Sequence, residues 1–172
     1  MDIPTAKDET AQLVYGLPDD VTEFIVTQGA ERLRAQQIGV HALDQRITQV
    51  AGFQFAAAAL AGAVASVGAP VALIAAAAAV SFVIGGVVAF RGIRSDPHYP
   101  PGLPPLWWKP AADLSEFDVH TARSWLAGYI QDSLVANDAE DAKRAQHLNV
   151  SLRYGIAGAV LVSLAALLRA FA

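Results

Sequence analysis

A chain of 172 residues is enough for one ordinary domain, but 54% of it is hydrophobic and only 16% is charged, with a net charge of −4. Soluble domains are about one quarter charged, so either the core is unusually large or part of the chain lies in lipid. The absence of Cys excludes disulfides, thiolate metal sites and a cysteine nucleophile. In chain order, residues 1–18 read as a polar, acidic tail without the basic and apolar regions of a cleaved signal peptide.

Residues 19–49 read as a polar helix, with Asp19 or Asp20 as its cap and Glu23 in its first turn. Leu33, Val40 and Ile47 fall seven apart, as do Gln36, Leu43 and Val50, a heptad-like stripe for packing on another helix. No proline follows until Pro70, so this helix is expected to run on into the first apolar pass despite Gly52.

From Ala51 to Phe90 there is no Asp, Glu, Lys, Arg or His. A membrane-spanning helix needs roughly 20 mostly apolar residues. Residues 50–67 supply one, and 70–90 a second. Gly68, Ala69 and Pro70 between them stop one helix and start the next, so 50–90 reads as a transmembrane hairpin. Residues 91–114 follow as a strap. Its segment DPHYPPGLPPLWWKP is rich in proline, hence stiff and extended, and cannot continue the helix. Tyr99, Trp107 and Trp108 are residue types that settle at lipid headgroups, and Lys109 reaches phosphates, so these four read as membrane-interface anchors. The rival reading is a polyproline ligand, since Pro101 and Pro104 fit P-x-x-P.

Residues 115–153 read as a second polar helix. Ser115 and Asp118 form a capping-box-like start, and Glu140 and Arg144 are spaced for an i,i+4 pair. Val119, Ala122, Leu126, Tyr129, Ile130 and Leu134 recur at three- and four-residue steps, and Ala136, Asn137 and Asp138 predict a kink. Residues 154–172 are a third apolar pass whose one charge, Arg169, lies near the end, where it can snorkel to the interface.

The expected fold is therefore all-α: an integral membrane protein with three transmembrane helices and a cytoplasmic helical extension. Of the twelve Lys and Arg, all but Arg169 lie before the first pass or between the second and third. The positive-inside rule then places the N-terminus and 91–153 in the cytoplasm and the C-terminus outside the inner (plasma) membrane. All sixteen acidic residues fall on that same side and leave it net negative, which argues against nucleic acid as a partner.

Chemistry is sparse. His41 and Asp44 share a helix face, Asp118 and His120 do not, His147 has no carboxylate three or four residues away, and His98 sits in the strap. No dense His, Asp or Glu cluster and no phosphate-loop, nucleophile-elbow or zinc-protease motif is present. No enzyme, cofactor or metal is expected. Ala58, Gly62 and Ser66, and again Ala75 and Ala79, form small-residue ridges that fit oligomerisation or packing among the passes. A pore of several copies would be lined by Gln54, Ser66, Ser81 and Ser163.

The residues with most functional character are Asp44, Arg46, Gln49 and Gln54 on the first long helix, and Lys143, Arg144, Asn149 and Arg153 on the second. Both groups lie where a polar helix meets an apolar pass. They read either as an ion-pair network that sets helix register or as a control junction through which a cytoplasmic signal alters helix packing.

A helix with Asp44 and Arg46 just before an apolar hairpin, and a later helix with Asn137, Lys143 and Asn149 before a last pass, resembles the small bacterial transmembrane effectors of anti-phage cyclic-nucleotide systems of the Pycsar type. The resemblance is one of layout and covers roughly 33–168. It implies that a cyclic nucleotide made after infection triggers the protein to impair the inner membrane. Two main functions are expected. One is a homo-oligomeric inner-membrane effector that permeabilises the bilayer on a cytoplasmic signal. The other is a non-catalytic accessory subunit that clamps to a larger membrane complex. A membrane-bound enzyme using His41 or His147 is a third.

Overall fold

The computed structural model describes residues 9–65, 71–93, 99 and 118–171, the side chains of Glu9, Thr10 and Gln12 excepted. Among these residues there is no strand. Four helices follow in order: α1 (Glu9–Tyr15), α2 (Asp19–Val64), α3 (Val71–Ile93) and α4 (Val119–Phe171). Three of them, α2, α3 and α4, are long and apolar enough to cross a membrane. The all-helical expectation and the three apolar helices thus appear together.

The segment read as a tail holds α1, with Ala11 and Val14 buried. α2 begins at Asp19, so neither Asp19 nor Asp20 is its cap; both lie in its first turn, where the helix dipole favours a carboxylate. The first helical bond starts from Pro18, whose carbonyl accepts both the Thr22 backbone N–H and the Thr22 hydroxyl, at 3.0 and 3.1 Å. α2 then runs through residues 49 and 50 without a break, and α4 runs through 153 and 154. With no proline inside, i to i−4 bonding has no reason to stop where polarity changes. α3 continues to Ile93, so Arg91 belongs to its last turn rather than to the strap, and a cation there suits the C-terminal dipole.

α4 opens on its own acid. The Asp118 carboxylate accepts the Thr121 backbone N–H at 2.7 Å, which holds the Asp118 carboxyl below its usual pKa. Ser115 lies outside the described residues. Helix α4 is continuous through 136–138, where a kink was expected. Asn137 is spent on tertiary partners rather than on its own backbone.

The chain divides into two compact units. The first comprises Met1–Val40 and Pro97–Glu140. Leu33, Ile130 and Leu134 form its core, with Val26, Ala30, Leu126 and Tyr129 packed around them. The contacts of α2 and α4 rise together along the two helices. Asp19 meets His120, Glu23 meets Arg123 at 2.8 Å, and Gln36 meets Asp138 at 2.6 Å, so the two run parallel here.

The second unit comprises His41–Asp96 and Asp141–Ala172. It is a three-helix bundle in which α3 runs against α2 and α4. Ala89 packs on Ile47 and Ala51 at one level, and Ala78 and Phe82 on Ala58 and Ala61 at another. Small residues set the spacing. A Cβ at Gly86 would lie 2.8 Å from the Phe55 ring, and one at Gly158 2.9 Å from the Phe82 ring. Ala58 and Ala75 are thus buried within the chain, whereas Gly62 faces open space.

Two glycines of α2 separate packing from propensity. A methyl at Gly29 would come 2.6 Å from the branched Ile130 Cγ2, while nothing lies within 4 Å of one at Gly39. Gly29→Ala is expected to destabilise the protein by about 1–3 kcal/mol through overpacking. Gly39→Ala is expected to stabilise it by about 0.5–1 kcal/mol through helix propensity. Thermal unfolding followed by far-ultraviolet circular dichroism measures both.

Candidate functional site: buried polar groups on two parallel helices

The heptad stripe read at Leu33, Val40 and Ile47 continues through Gln54 to Ala61, and all five are buried. Its counterpart on α4 is Ile130, Asn137, Arg144, Ser151, Gly158 and Ala165, again seven apart and all buried. Three consecutive members of this second stripe are polar. A helix seam ordinarily puts apolar residues at such places, so each polar member is accounted for by its partners.

In the first unit, Asn137 treats Tyr99 as a neighbouring strand would. Its Oδ1 accepts the Tyr99 backbone N–H at 2.9 Å, and its Nδ2 donates to the Tyr99 carbonyl at 3.3 Å. Nδ2 also donates to Gln36 Oε1 at 3.3 Å, and Gln36 Nε2 donates to Asp138 at 2.6 Å. Tyr99, read as an interface anchor, is exposed and held by its main chain. Trp107, Trp108 and Lys109 lie outside the described residues.

In the second unit, Arg144 is buried at 4% exposure, and its Nη1 lies 3.6 Å from Asp44 Oδ1. That separation is an ion pair but not a hydrogen bond, and Asp44 Oδ1 has no hydrogen-bond partner among the described residues. Farther along, Gln54 is buried at 2% exposure and donates from Nε2 to both the carbonyl and the hydroxyl of Ser151, at 2.7 and 2.8 Å. The amide packs against Gly85 and Gly155: a Cβ at Gly85 would fall 2.6 Å from Gln54 Cδ, and one at Gly155 3.2 Å from Nε2. Gln54 Oε1 is buried without a partner among the described residues. Beside it, the Ser81 hydroxyl donates to the Tyr154 carbonyl at 2.8 Å.

The eight residues expected to form a control junction therefore separate. Asp44, Arg144 and Gln54 turn into the bundle, and the first two meet. Arg46, Gln49, Lys143, Asn149 and Arg153 are exposed on the outer faces of α2 and α4. The pore-lining set separates too: Gln54 is enclosed by its own chain, Ser163 is exposed with its hydroxyl on the Ala159 carbonyl, and Ser66 lies outside the described residues. Ser151 and Gln36 were not singled out as site residues. Continuing the heptad through polar positions would have found Ser151.

His120, weighed in the sequence only against Asp118, finds its partners on other elements. Its Nδ1 lies 2.7 Å from Asp19 Oδ1, its Nε2 2.6 Å from the Tyr15 carbonyl, and its ring sits edge-on to Tyr15 at 5.0 Å. Two acceptors on two ring nitrogens ask for two N–H groups, which only the imidazolium has. The Tyr15 carbonyl first, then the Asp19 carboxylate, raise the His120 pKa, with the Asp118 charge adding to them. Together these contacts tie α1, α2 and α4.

Among the described residues no three His, Asp or Glu are grouped to hold a metal ion. No family model, no characterised protein and no solved structure matches the chain.

A raised His120 pKa contributes stability that is full below the unfolded value of about 6.5 and is lost as pH rises through the folded value. Melting temperature measured against pH is expected to fall on that upper side, and His120→Gln to remove this part of the slope. Gln54→Ala deletes both bonds to Ser151 and leaves a gap between Gly85 and Gly155, with an expected loss of about 1–3 kcal/mol. Ser151→Ala keeps the carbonyl acceptor and is expected to cost less than half of that, both read by unfolding in detergent.

Proposed function

We propose that the chain is a multi-pass inner-membrane effector that acts as a homo-oligomer and permeabilises the bilayer when a cytoplasmic signal changes the packing of α2 and α4. Its role in this reading is non-catalytic. The observation that carries it is the polar seam of Asp44, Arg144, Gln54 and Ser151 inside an otherwise small-residue, apolar bundle, in which Asp44 Oδ1 and Gln54 Oε1 are buried acceptors without a hydrogen bond among the described residues. A purely structural pin would be expected to satisfy its buried acceptors. A group left short of partners lowers the stability of the packing it sits in, so a packing that satisfied it would recover that cost. The outward side of the bundle supports the membrane setting: Leu60, Leu73, Val80, Ile156 and Val160 are all exposed there, Leu73 at 78%. Water disfavours such a surface, while lipid accepts it.

The trigger implied by the resemblance is a cyclic nucleotide. Two apolar cavities among the described residues of the second unit, lined mainly by Ala, Val, Leu and Ile, do not offer the hydrogen bonding a nucleotide base needs. The reading therefore rests on the junction and treats the nucleotide as one candidate signal.

A second reading has its own support. In the first unit Phe24, Ile38 and Val135 are exposed, at 64%, 72% and 59%. Outside lipid such side chains suit a protein partner. In the effector reading that partner is another copy. In the second reading it is a different protein, and the chain is an accessory subunit of a larger complex.

Ion flux from liposomes containing the purified chain decides between them, measured with and without candidate cyclic nucleotides. Wild type is expected to leak on triggering. Arg144→Gln, which removes the charge facing Asp44, is expected to raise untriggered flux about tenfold, the effect of about 1.4 kcal/mol lost from the resting packing. Arg46→Ala, on the outer face, is expected to behave as wild type. Absence of flux from folded, inserted protein, with another protein co-purifying in fixed ratio, would replace the effector reading with the accessory one.

A further inference from the structure

The bundle of the second unit is tight at Gln54 and Gly85 and opens beyond Phe82. The Phe82 ring fills the space over Gly158, and from there to the ends of α2 and α4 the inward positions are mostly alanine. Methyl groups do not bridge three helix backbones, so a cavity of about 470 Å³ remains, walled by Ala57, Ala61, Ala75, Ala165 and other apolar side chains. An unfilled space of this size forfeits the dispersion contacts of every atom that lines it. Among the described residues its wall has two polar members. Ser163 donates its hydroxyl to the Ala159 carbonyl at 2.9 Å and so calls for no polar ligand. The other is Arg169, in the last turn of α4, the one cation among the described residues of the wall.

We infer that this cavity is a binding site for one anionic phospholipid, with an acyl chain between α2, α3 and α4 and the phosphate on Arg169. The inference rests on the membrane reading above. The volume falls within the range of small-ligand sites and accommodates a flexible chain, whereas another helix, about 10–12 Å across with its side chains, does not fit. A guanidinium pairs with phosphate through two parallel N–H groups and holds it more strongly than a neutral headgroup surface would. An arginine at the end of a membrane-spanning helix reaches the headgroup level, where a lipid phosphate is within its range. The cavity gives the aliphatic selectivity and Arg169 gives the charge selectivity, so the two are separable by mutation.

The test uses the full chain. Membranes are first washed with alkaline carbonate to establish insertion. The protein is then purified in mild detergent, incubated with phosphatidylglycerol or phosphatidylcholine of the same acyl chains, and examined by native mass spectrometry, with circular dichroism confirming that each variant is folded. Wild type is expected to retain phosphatidylglycerol at least about fivefold over phosphatidylcholine, a difference of about 1 kcal/mol. Arg169→Gln is expected to bring that ratio near one while lipid still binds. Ala166→Phe, which fills the cavity from α4, is expected to reduce both lipids about tenfold. Equal retention of the two lipids by wild type overturns the headgroup contact, and undiminished binding by Ala166→Phe overturns the cavity. Inserted protein that carries no lipid, or that is found only as lipid-free dimers, overturns this inference and leaves the membrane reading standing. Release of the chain by carbonate overturns both.

Discussion

Gln54 donates twice to Ser151 from a place that only hydrogen side chains at Gly85 and Gly155 leave open. That one amide fixes the register of all three helices of the second unit. α3 must present a glycine at its level, α4 must present a serine and, one turn later, another glycine, and neither can slide without a side chain striking the amide. The ring contacts on either side obey the same rule: Phe55 lies over Gly86 and Phe82 over Gly158. The abundance of Ala and Gly in the apolar segments is thus a requirement of close approach, and the gap beyond Phe82 is its consequence where no large side chain follows.

Parallel pairing of α2 and α4 follows from connectivity. Two parallel helices cannot be joined by a short turn, and α3 supplies the return within the second unit. Contacts between α2 and α4 therefore join residues about a hundred positions apart, as in Gln36 to Asp138 and Gln54 to Ser151. Such pairings have a high loop-closure cost and gain little from local propensity. The local features, the Asp118 cap and the turn around Pro18, fix where the helices begin but not how they meet.

This division explains what could be read in advance. Apolar runs and the lack of proline were enough for the long helices, and Leu33, Val40 and Ile47 were enough for the buried face of α2. The inward face of α4 was harder. Its heptad positions pass through Asn137, Arg144 and Ser151, and a rule that follows hydrophobic residues steps off the seam where it becomes polar. The i,i+4 spacing of Arg144 from Glu140 is visible along the chain, whereas the further contact of Arg144 with Asp44 depends on the pairing of α2 with α4. The same limit applies to Arg46, Lys143 and Asn149. Their height along each helix is legible from spacing, but their outward direction follows from the buried seam: Ile47 beside Arg46, Arg144 beside Lys143, and Ser151 near Asn149 point in. His120 needed the turn between α1 and α2 and the pairing of α2 with α4 to bring the Tyr15 carbonyl and Asp19 to it.

In lipid the polar seam carries unusual weight. Apolar side chains gain little by leaving acyl chains for one another, so helix association there depends on close packing and on a few interhelical hydrogen bonds worth about 0.6–2 kcal/mol each. A bundle whose inward residues are mostly Ala and Gly has little dispersion energy in reserve. The difference between one packing and another then lies largely with Gln54, Ser151 and the Asp44–Arg144 pair. Two of the acceptors in this set, Gln54 Oε1 and Asp44 Oδ1, are without a hydrogen bond among the described residues. On the effector reading, a packing that satisfied either one would recover about the worth of a hydrogen bond, and a cytoplasmic signal of that size is what would be needed to select between a sealed bundle and an open one.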